Sequence, residues 1–265
     1  MNFIFKRMAI SKYFGGLIIG VGIVIVHVIA TMLPLLSQID GNNYWFSTYN
    51  RWISFDSSNW TIIFFWVLPI ISAVGTNQII HDDISSGFFW QQVSKQGYQK
   101  YIFYTFPIIF LGGFLIVLIP LTINLFFAWA LFPTIKPDFI LNFNSVVLPQ
   151  TTFMAGKYYT NPVGLVLLYL ILPSLLGGLF ALISGMLSFY LDNQFITITV
   201  GFVLSLFLTI LTSIFPHQVF SPVLMVAGVG FGYVPSLSSF IVGWSIAFIL
   251  TLLLFVLGVR RHAFD

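Results

Sequence analysis

Few side chains in this sequence are equipped for chemistry. Its seven acidic residues are all Asp, its four histidines are His27, His81, His217 and His262, and it has no cysteine. Without a thiol there are no disulfides, thiolate metal sites or cysteine nucleophiles. The histidines lie far apart, so neither HExxH nor any paired-His metal spacing arises. Gly156-Lys157 is followed by Tyr158 and lacks the upstream glycine of a phosphate-cradling GxxxxGK[ST] loop. Gly228, Gly230 and Gly232 sit among apolar residues with no following Lys, which reads as backbone packing. No nucleophile, base and orienting group fall together, so neither a catalytic residue nor a metal site is expected. What remains is His27 inside an apolar run, the acidic doublet Asp82-Asp83 after His81, and a series of hydroxyls at Thr197, Thr199, Ser205, Thr209, Thr212 and Ser213.

The elements that must position these residues follow from composition. Of the 265 residues, 58% are hydrophobic and 6% charged, and the mean hydropathy is +1.00. A soluble domain is roughly a quarter charged, so this chain cannot cover a globule with polar groups. It reads as an integral membrane protein, which excludes a cytosolic enzyme, a secreted domain and a nucleic-acid-binding module. The net charge of +3 comes from ten basic and seven acidic residues. So few charges cannot track a phosphate backbone, and no nucleic-acid partner is expected.

A spanning helix needs about 20 largely apolar residues. Such runs fall at about 14–36, 60–80, 101–132, 162–191, 195–215 and 239–259, the third and fourth interrupted by Pro107, Pro120 and Pro173. The expected fold is an all-α integral membrane protein, one transmembrane domain over 1–265 with six spans. No fixed-period repeat, low-complexity tract or linker divides it. Although Lys6, Arg7 and Lys12 precede the first run, it is too long for a signal-peptide core and lacks an A-x-A-like site, so a retained helix is expected. With the N-terminus inside, Lys6, Arg7, Lys12, Lys95, Lys100, Arg260 and Arg261 lie inside and Arg51, Lys136 and Lys157 outside. That bias predicts N-in, C-in. The outer segments 37–59 and 133–161 are rich in aromatic and polar residues. Outer Trp45, Trp52 and Trp60 fit two roles, interfacial anchoring or contact with a membrane-bound peptide. The third outer segment, 216–238, is apolar but broken by Pro and Gly, and reads as a re-entrant or interfacial hairpin.

No Asp, Lys or Arg falls inside a predicted span: Asp40, Asp56 and Asp138 are outer, Asp82, Asp83 and Asp192 inner, and Asp265 ends the chain. Ion-coupled carriers usually need an ionisable group at membrane depth. Only His27 meets that need, and a lone helical His reads first as hydrogen-bonded packing. Uphill movement would therefore draw its energy from a separate ATPase subunit.

The inner segment 76–103 carries the strongest signal. Asp82-Asp83 stands where the second span leaves the membrane, followed by Ser85-Ser86-Gly87, then FFWQQVSK, then Gly97 and Lys100. An Asp or Ser beside a helix start can satisfy orphan backbone N–H groups. The spacing predicts a short surface helix over 86–96, burying Phe88, Phe89 and Val93 and leaving Gln91, Gln92, Lys95 and Gln96 accessible.

This arrangement resembles the ABC-2 type permeases, the membrane subunits of type V ABC exporters. The matching residues are Asp82 or Asp83, Gly87, Phe88 to Lys95 and Lys100. The likeness extends loosely over the whole chain through the six spans, the basic N-terminus, the broken outer hairpin before the last span and the VRRHAFD tail. Asp stands where Glu is more usual in the family, and the first inner segment is short, so the long amphipathic connecting helix of some relatives is not expected.

The resemblance implies a mechanism. Asp82, Asp83, Ser86, Gly87, Phe88, Phe89, Trp90, Gln91, Gln92 and Lys95 would couple to an ABC ATP-binding subunit, which would hold ATP and Mg; this chain would bind no cofactor. A second permease copy, or a related permease, would complete a dimer whose interface forms the substrate path. Thr197, Thr199, Ser205, Thr209 and Thr212 would line that path, unless they bond their own helix. Abundant Phe, 31 residues, suits an amphipathic peptide or lipid-like substrate. Relatives of this size include bacterial plasma-membrane permeases for lantibiotic immunity or peptide export. Two other classes stay open: a self-contained carrier or channel using His27 or backbone at Pro107, Pro120 or Pro173, and a scaffold or lipid-acting enzyme starting from His81, Asp82 or His217.

Overall fold

The computed structural model describes residues 14–39, 46–138, 140, 147–149, 152–215, 221–228 and 236–264. Lys6, Arg7, Lys12, Asp40, Trp45, His217, Gly230, Gly232 and Asp265, with most of 216–238, lie outside the described residues. The described residues are helical and contain no strand.

The first span starts as α1, Phe14–His27, passes through a π-helical turn at Val28–Met32, and ends in tighter turns at Leu36–Gln38. Helix α2, Thr48–Arg51, precedes α3, Asn59–Ser85; a loop helix α4, Phe88–Gln96, leads into α5, Tyr98–Leu131. Then come α6, Gly156–Thr160, α7, Pro162–Leu187, α8, Gln194–Ile214, a short α9, Pro222–Val226, and α10, Leu237–Phe264. Six helices are long and apolar enough to cross a membrane: the first, α3, α5, α7, α8 and α10. The chain is thus a multi-pass membrane protein by length and composition.

Three ends differ most from the expected bounds; α7 stops at Leu187, four residues short of the expected 191. Helix α3 runs through Asp82 and Asp83 to Ser85, so the doublet sits in a helical last turn and not in a loop. Helix α10 continues through Arg260, Arg261 and His262 to Phe264, because nothing in VRRHAF breaks a helix.

Helices α3, α5 and α7 form the middle of the bundle, with α1 and α8 packed on α3 and α10 laid more loosely on α7 and α5. The tightest contact joins α5 to α7. A Cβ on Gly113 would stand 2.6 Å from the Gly177 carbonyl oxygen, and one on Gly177 would stand 2.9 Å from that of Gly113. Small residues let membrane helices approach this closely, where van der Waals contact replaces the hydrophobic effect. Pro69, Pro107, Pro120 and Pro173 all lie within continuous helices.

At the end of the bundle opposite α4, three segments form a cap. Phe46 to Asp56 is almost wholly buried. Its Phe55 ring meets Tyr158 of α6 at 5.8 Å and Tyr169 of α7 at 5.0 Å, while Thr152 donates to the Gly228 carbonyl at 2.8 Å. Trp52 is fully buried and donates Nε1–H to the Leu121 carbonyl at 3.2 Å. It therefore neither anchors at an interface nor meets a peptide, correcting the sequence expectation; Trp60 is half-buried in the first turn of α3.

Candidate functional site

The junction between α3 and α4 is built around one glycine. Gly87 has φ +72°, a left-handed conformation that glycine adopts without the Cβ penalty. Its N–H closes α3 on the Ile84 carbonyl at 3.2 Å, and its own carbonyl accepts the first α4 bond from Gln91 at 3.2 Å. Ser85 and Ser86 both donate their hydroxyls to the Asp82 carbonyl. The expected side-chain cap on α4 is thus not formed: the serines close the preceding helix instead.

Helix α4 is amphipathic, and one side chain seats it. Phe89 is fully buried. Its ring lies 5.0 Å from Tyr101 of α5, 6.0 Å from Phe189 beyond α7 and 6.3 Å from the His262 imidazole near the end of α10. Two hydrogen bonds fix those partners. The Tyr101 hydroxyl donates to Asp83 Oδ2 at 2.7 Å, and His262 donates from Nε2 to the Phe189 carbonyl at 2.7 Å. Phe88, Gln92 and Val93 are half-buried, while Gln91, Ser94, Lys95 and Gln96 are exposed and Trp90 is 40% exposed. The helix thus keys into α3, α5 and the two chain segments after α7 and within α10, and presents a Trp, Gln and Lys face away from the bundle. Such a face can dock against another protein.

The α8 hydroxyls occupy a different place from one another. Thr197, Ser205 and Thr212 are buried within the chain, with Gly201 between them; Gly201 faces Phe180 and Pro69. Ser205, Thr209 and Thr212 donate to the carbonyls of Gly201, Ser205 and Leu208 in their own helix, and half-buried Thr199 donates to Phe195. Thr209 also meets Ser221 at 2.8 Å. Thr197 accepts from Asn77 Nδ2 at 2.6 Å, and Ser188 donates to Asn77 Oδ1, so a buried polar knot ties α8 to α3 and the end of α7. The exposed face of α8 carries Phe195, Val203, Phe207, Ile210 and Ile214.

Beside it, α10 stands off the bundle over two apolar grooves. One, of about 280 Å³, lies between α7, α8 and α10 and is lined by Leu179, Phe180, Leu204 and Trp244. The other, of about 390 Å³, lies between α5, α7 and α10 and shares Leu179 and Trp244. Neither offers a charged group, so both suit hydrocarbon.

His27 is not a lone histidine. It is fully buried, with Nε2 3.1 Å from Asp56 Oδ2 and Nδ1 2.9 Å from Asn124 Nδ2. Arg51 Nη1 reaches the other carboxylate oxygen at 3.4 Å. Burial pushes the Asp56 carboxyl up. The hydrogen bond and the charge interaction with His27, a Ser58 hydrogen bond and Arg51 outweigh it and hold the group below its ordinary 3.8. Burial pushes the nearby Tyr158 phenol up.

No family model, curated protein or solved structure matches this chain. The reading of its function rests on topology and on the loop helix. Asn77, Asn124, Tyr101, Phe189 and His262 escaped the sequence reading, because each gains its role from a partner on a distant element. The one local signal was a single Asn in each of the apolar runs 60–80 and 101–132, Asn77 and Asn124, where an amide must find a partner.

Proposed function

We propose that this chain is the permease subunit of an ATP-driven exporter of the ABC-2 type. One observation carries the reading: an amphipathic helix between the second and third spans, keyed into the bundle by Phe89 with Trp90, Gln91 and Lys95 facing away. Exposed Ser86, Trp90, Gln91, Ser94 and Lys95, with Asp82 at their edge, form the surface that meets an ATP-binding subunit, while buried Asp83 and Phe89 seat the helix behind it. That subunit binds ATP and Mg and does the hydrolysis; this chain does none. A second permease copy completes the pathway, in a bacterial plasma membrane with both termini inside.

The apolar face of α8 and the grooves beside α10 suit a hydrophobic or amphipathic substrate, such as an antimicrobial peptide or a lipid-like compound. A path lined by α8 would meet Phe195, Val203 and Phe207 at an outward face, and Thr197, Ser205 and Thr212 only if α8 parts from α3.

The test is purification of the tagged chain in mild detergent from its native membrane, with an ATPase assay and identification of what co-purifies. An ATP-hydrolysing partner that is lost from Trp90→Ala/Lys95→Glu supports the exporter. A chain that purifies alone and moves solute in liposomes without nucleotide overturns it and establishes a self-contained carrier, for which the buried His27–Asp56 pair is the ionisable centre.

A further inference from the structure

The hydrogen bonds around His27 determine its protonation state. The Ile53 N–H donates to Asn124 Oδ1 at 2.9 Å, which orients the amide, since an NH₂ group cannot accept from an N–H. Asn124 Nδ2 therefore faces His27 Nδ1 as a donor at 2.9 Å. Nδ1 must be the bare, accepting nitrogen, and Nε2 carries the hydrogen and donates to Asp56 at 3.1 Å. The imidazole is neutral, in the Nε2–H tautomer, and every polar atom of the set has a complementary neighbour.

Protonation of His27 breaks this complementarity on one side only. An imidazolium keeps its bond to Asp56 and strengthens it with charge. Its new Nδ1–H, however, points at the Asn124 NH₂ group. Turning the amide presents Oδ1 to the ring but leaves the Ile53 N–H facing a donor. One buried donor is left without an acceptor in either orientation, which costs the full desolvation of that group.

The surrounding groups allow no third arrangement among the described residues. The titratable and charged groups at this level are Asp56 and, through it, Arg51, with Tyr49 and Tyr158 of the cap near Arg51. From α5 comes the uncharged Asn124. Helix α3 holds its titratable residues, His81, Asp82 and Asp83, at its far end. Asp56 and Arg51, whose side chains are 8% and 27% exposed, link the set to the protein surface. The π-helical turn Val28–Met32 begins directly after His27, and Thr31 donates to the His27 carbonyl; such turns place a local change in helix winding at this residue.

We propose that His27, Asn124 and the Ile53 amide form a proton-sensitive latch, in which a neutral His27 holds the cap segment 52–56 to α5 and a protonated His27 releases it at Ile53 while keeping Asp56. Nothing in this latch depends on what α4 docks against.

The test uses the full chain in lipid nanodiscs. Nitrogen-15 NMR of labelled histidine, with His27 assigned by comparison to His27→Gln, should give a protonated Nε2 and a bare Nδ1 at pH 8, and two protonated nitrogens at pH 5. Hydrogen exchange of the 52–56 peptide, corrected for the intrinsic pH dependence of amide exchange, should lose protection about tenfold between these pH values, as expected for one unsatisfied buried donor. In Asn124→Asp the carboxylate accepts from both Ile53 and an Nδ1–H, so protection should stay constant and His27 should stay charged at pH 8. In His27→Gln, which donates to Asp56 but does not titrate, the pH dependence should vanish. An Nδ1–H tautomer, a single protonation state from pH 5 to 8, or an unchanged loss of protection in His27→Gln would each overturn the latch.

Discussion

The Tyr101 hydroxyl donates to Asp83 Oδ2 at 2.7 Å, beneath the ring of Phe89. This bond joins the last turn of α3 to the first turn of α5, the two helix ends between which α4 is slung. Asp83 is only 5% exposed, so its carboxylate depends on such donors. Any force on α4 passes through Phe89 into this joint, and through Phe189 and His262 to the ends of α7 and α10.

Tyr101→Phe should therefore destabilise the protein by about 1–3 kcal/mol, because it withdraws one donor from a buried carboxylate. Phe89→Ala should cost about 3–5 kcal/mol through the cavity it leaves, with Phe89→Leu milder. Thermal unfolding in detergent checks both, and protease cleavage within 86–97 should rise in Phe89→Ala before the bundle unfolds.

Substitutions on the exposed face should behave in the opposite way. Exposed Lys95→Glu should move stability by no more than about 0.5 kcal/mol, and Trp90→Ala, which gives up an edge contact with Phe89 at 5.2 Å, by about 0.5–1.5 kcal/mol. Capture of the ATP-binding subunit should fall at least tenfold in a pull-down. Equal losses of stability and capture would mean that this face is structural.

At the contact of α5 with α7, Gly177→Ala should cost about 1–3 kcal/mol, since the new methyl meets Val117 and the backbone of Gly113. Gly22→Ala, whose Cβ meets nothing within 4 Å, is the matched control and should unfold at or slightly above the wild-type temperature. Gly→Ala there also gains helix propensity.

The depressed Asp56 carboxyl makes an acid-range prediction. Its folded value lies below 3.8, so its contribution to stability is fully present above that value and is lost as pH falls through the lower folded one. Asp56→Asn should remove this part of the acid dependence while lowering stability at pH 7. An identical acid unfolding profile in Asp56→Asn and wild type would show that the carboxylate adds nothing.

The sequence alone determined the membrane class, six spans within a few residues of their observed ends, and the loop helix; of the three residues expected on its buried face, Phe88, Phe89 and Val93, only Phe89 is fully buried. Those features are local or compositional: about 20 apolar residues must span, and an amphipathic run after a Gly turn forms a helix wherever it lies. The caps at Ser85 and Ser86 were misjudged because the same hydroxyls can serve the helix behind them or the one ahead. Only the tertiary structure decided that Trp52 is interior, that Asp56 reaches His27 across 29 residues, and that Asn124, 97 residues from His27, orients it. Thr197 likewise gains Asn77 as a partner across 120 residues. A buried polar atom in an apolar bundle must find a complement, but which one it finds depends on the rotation and depth at which helices pack, and no local pattern encodes that.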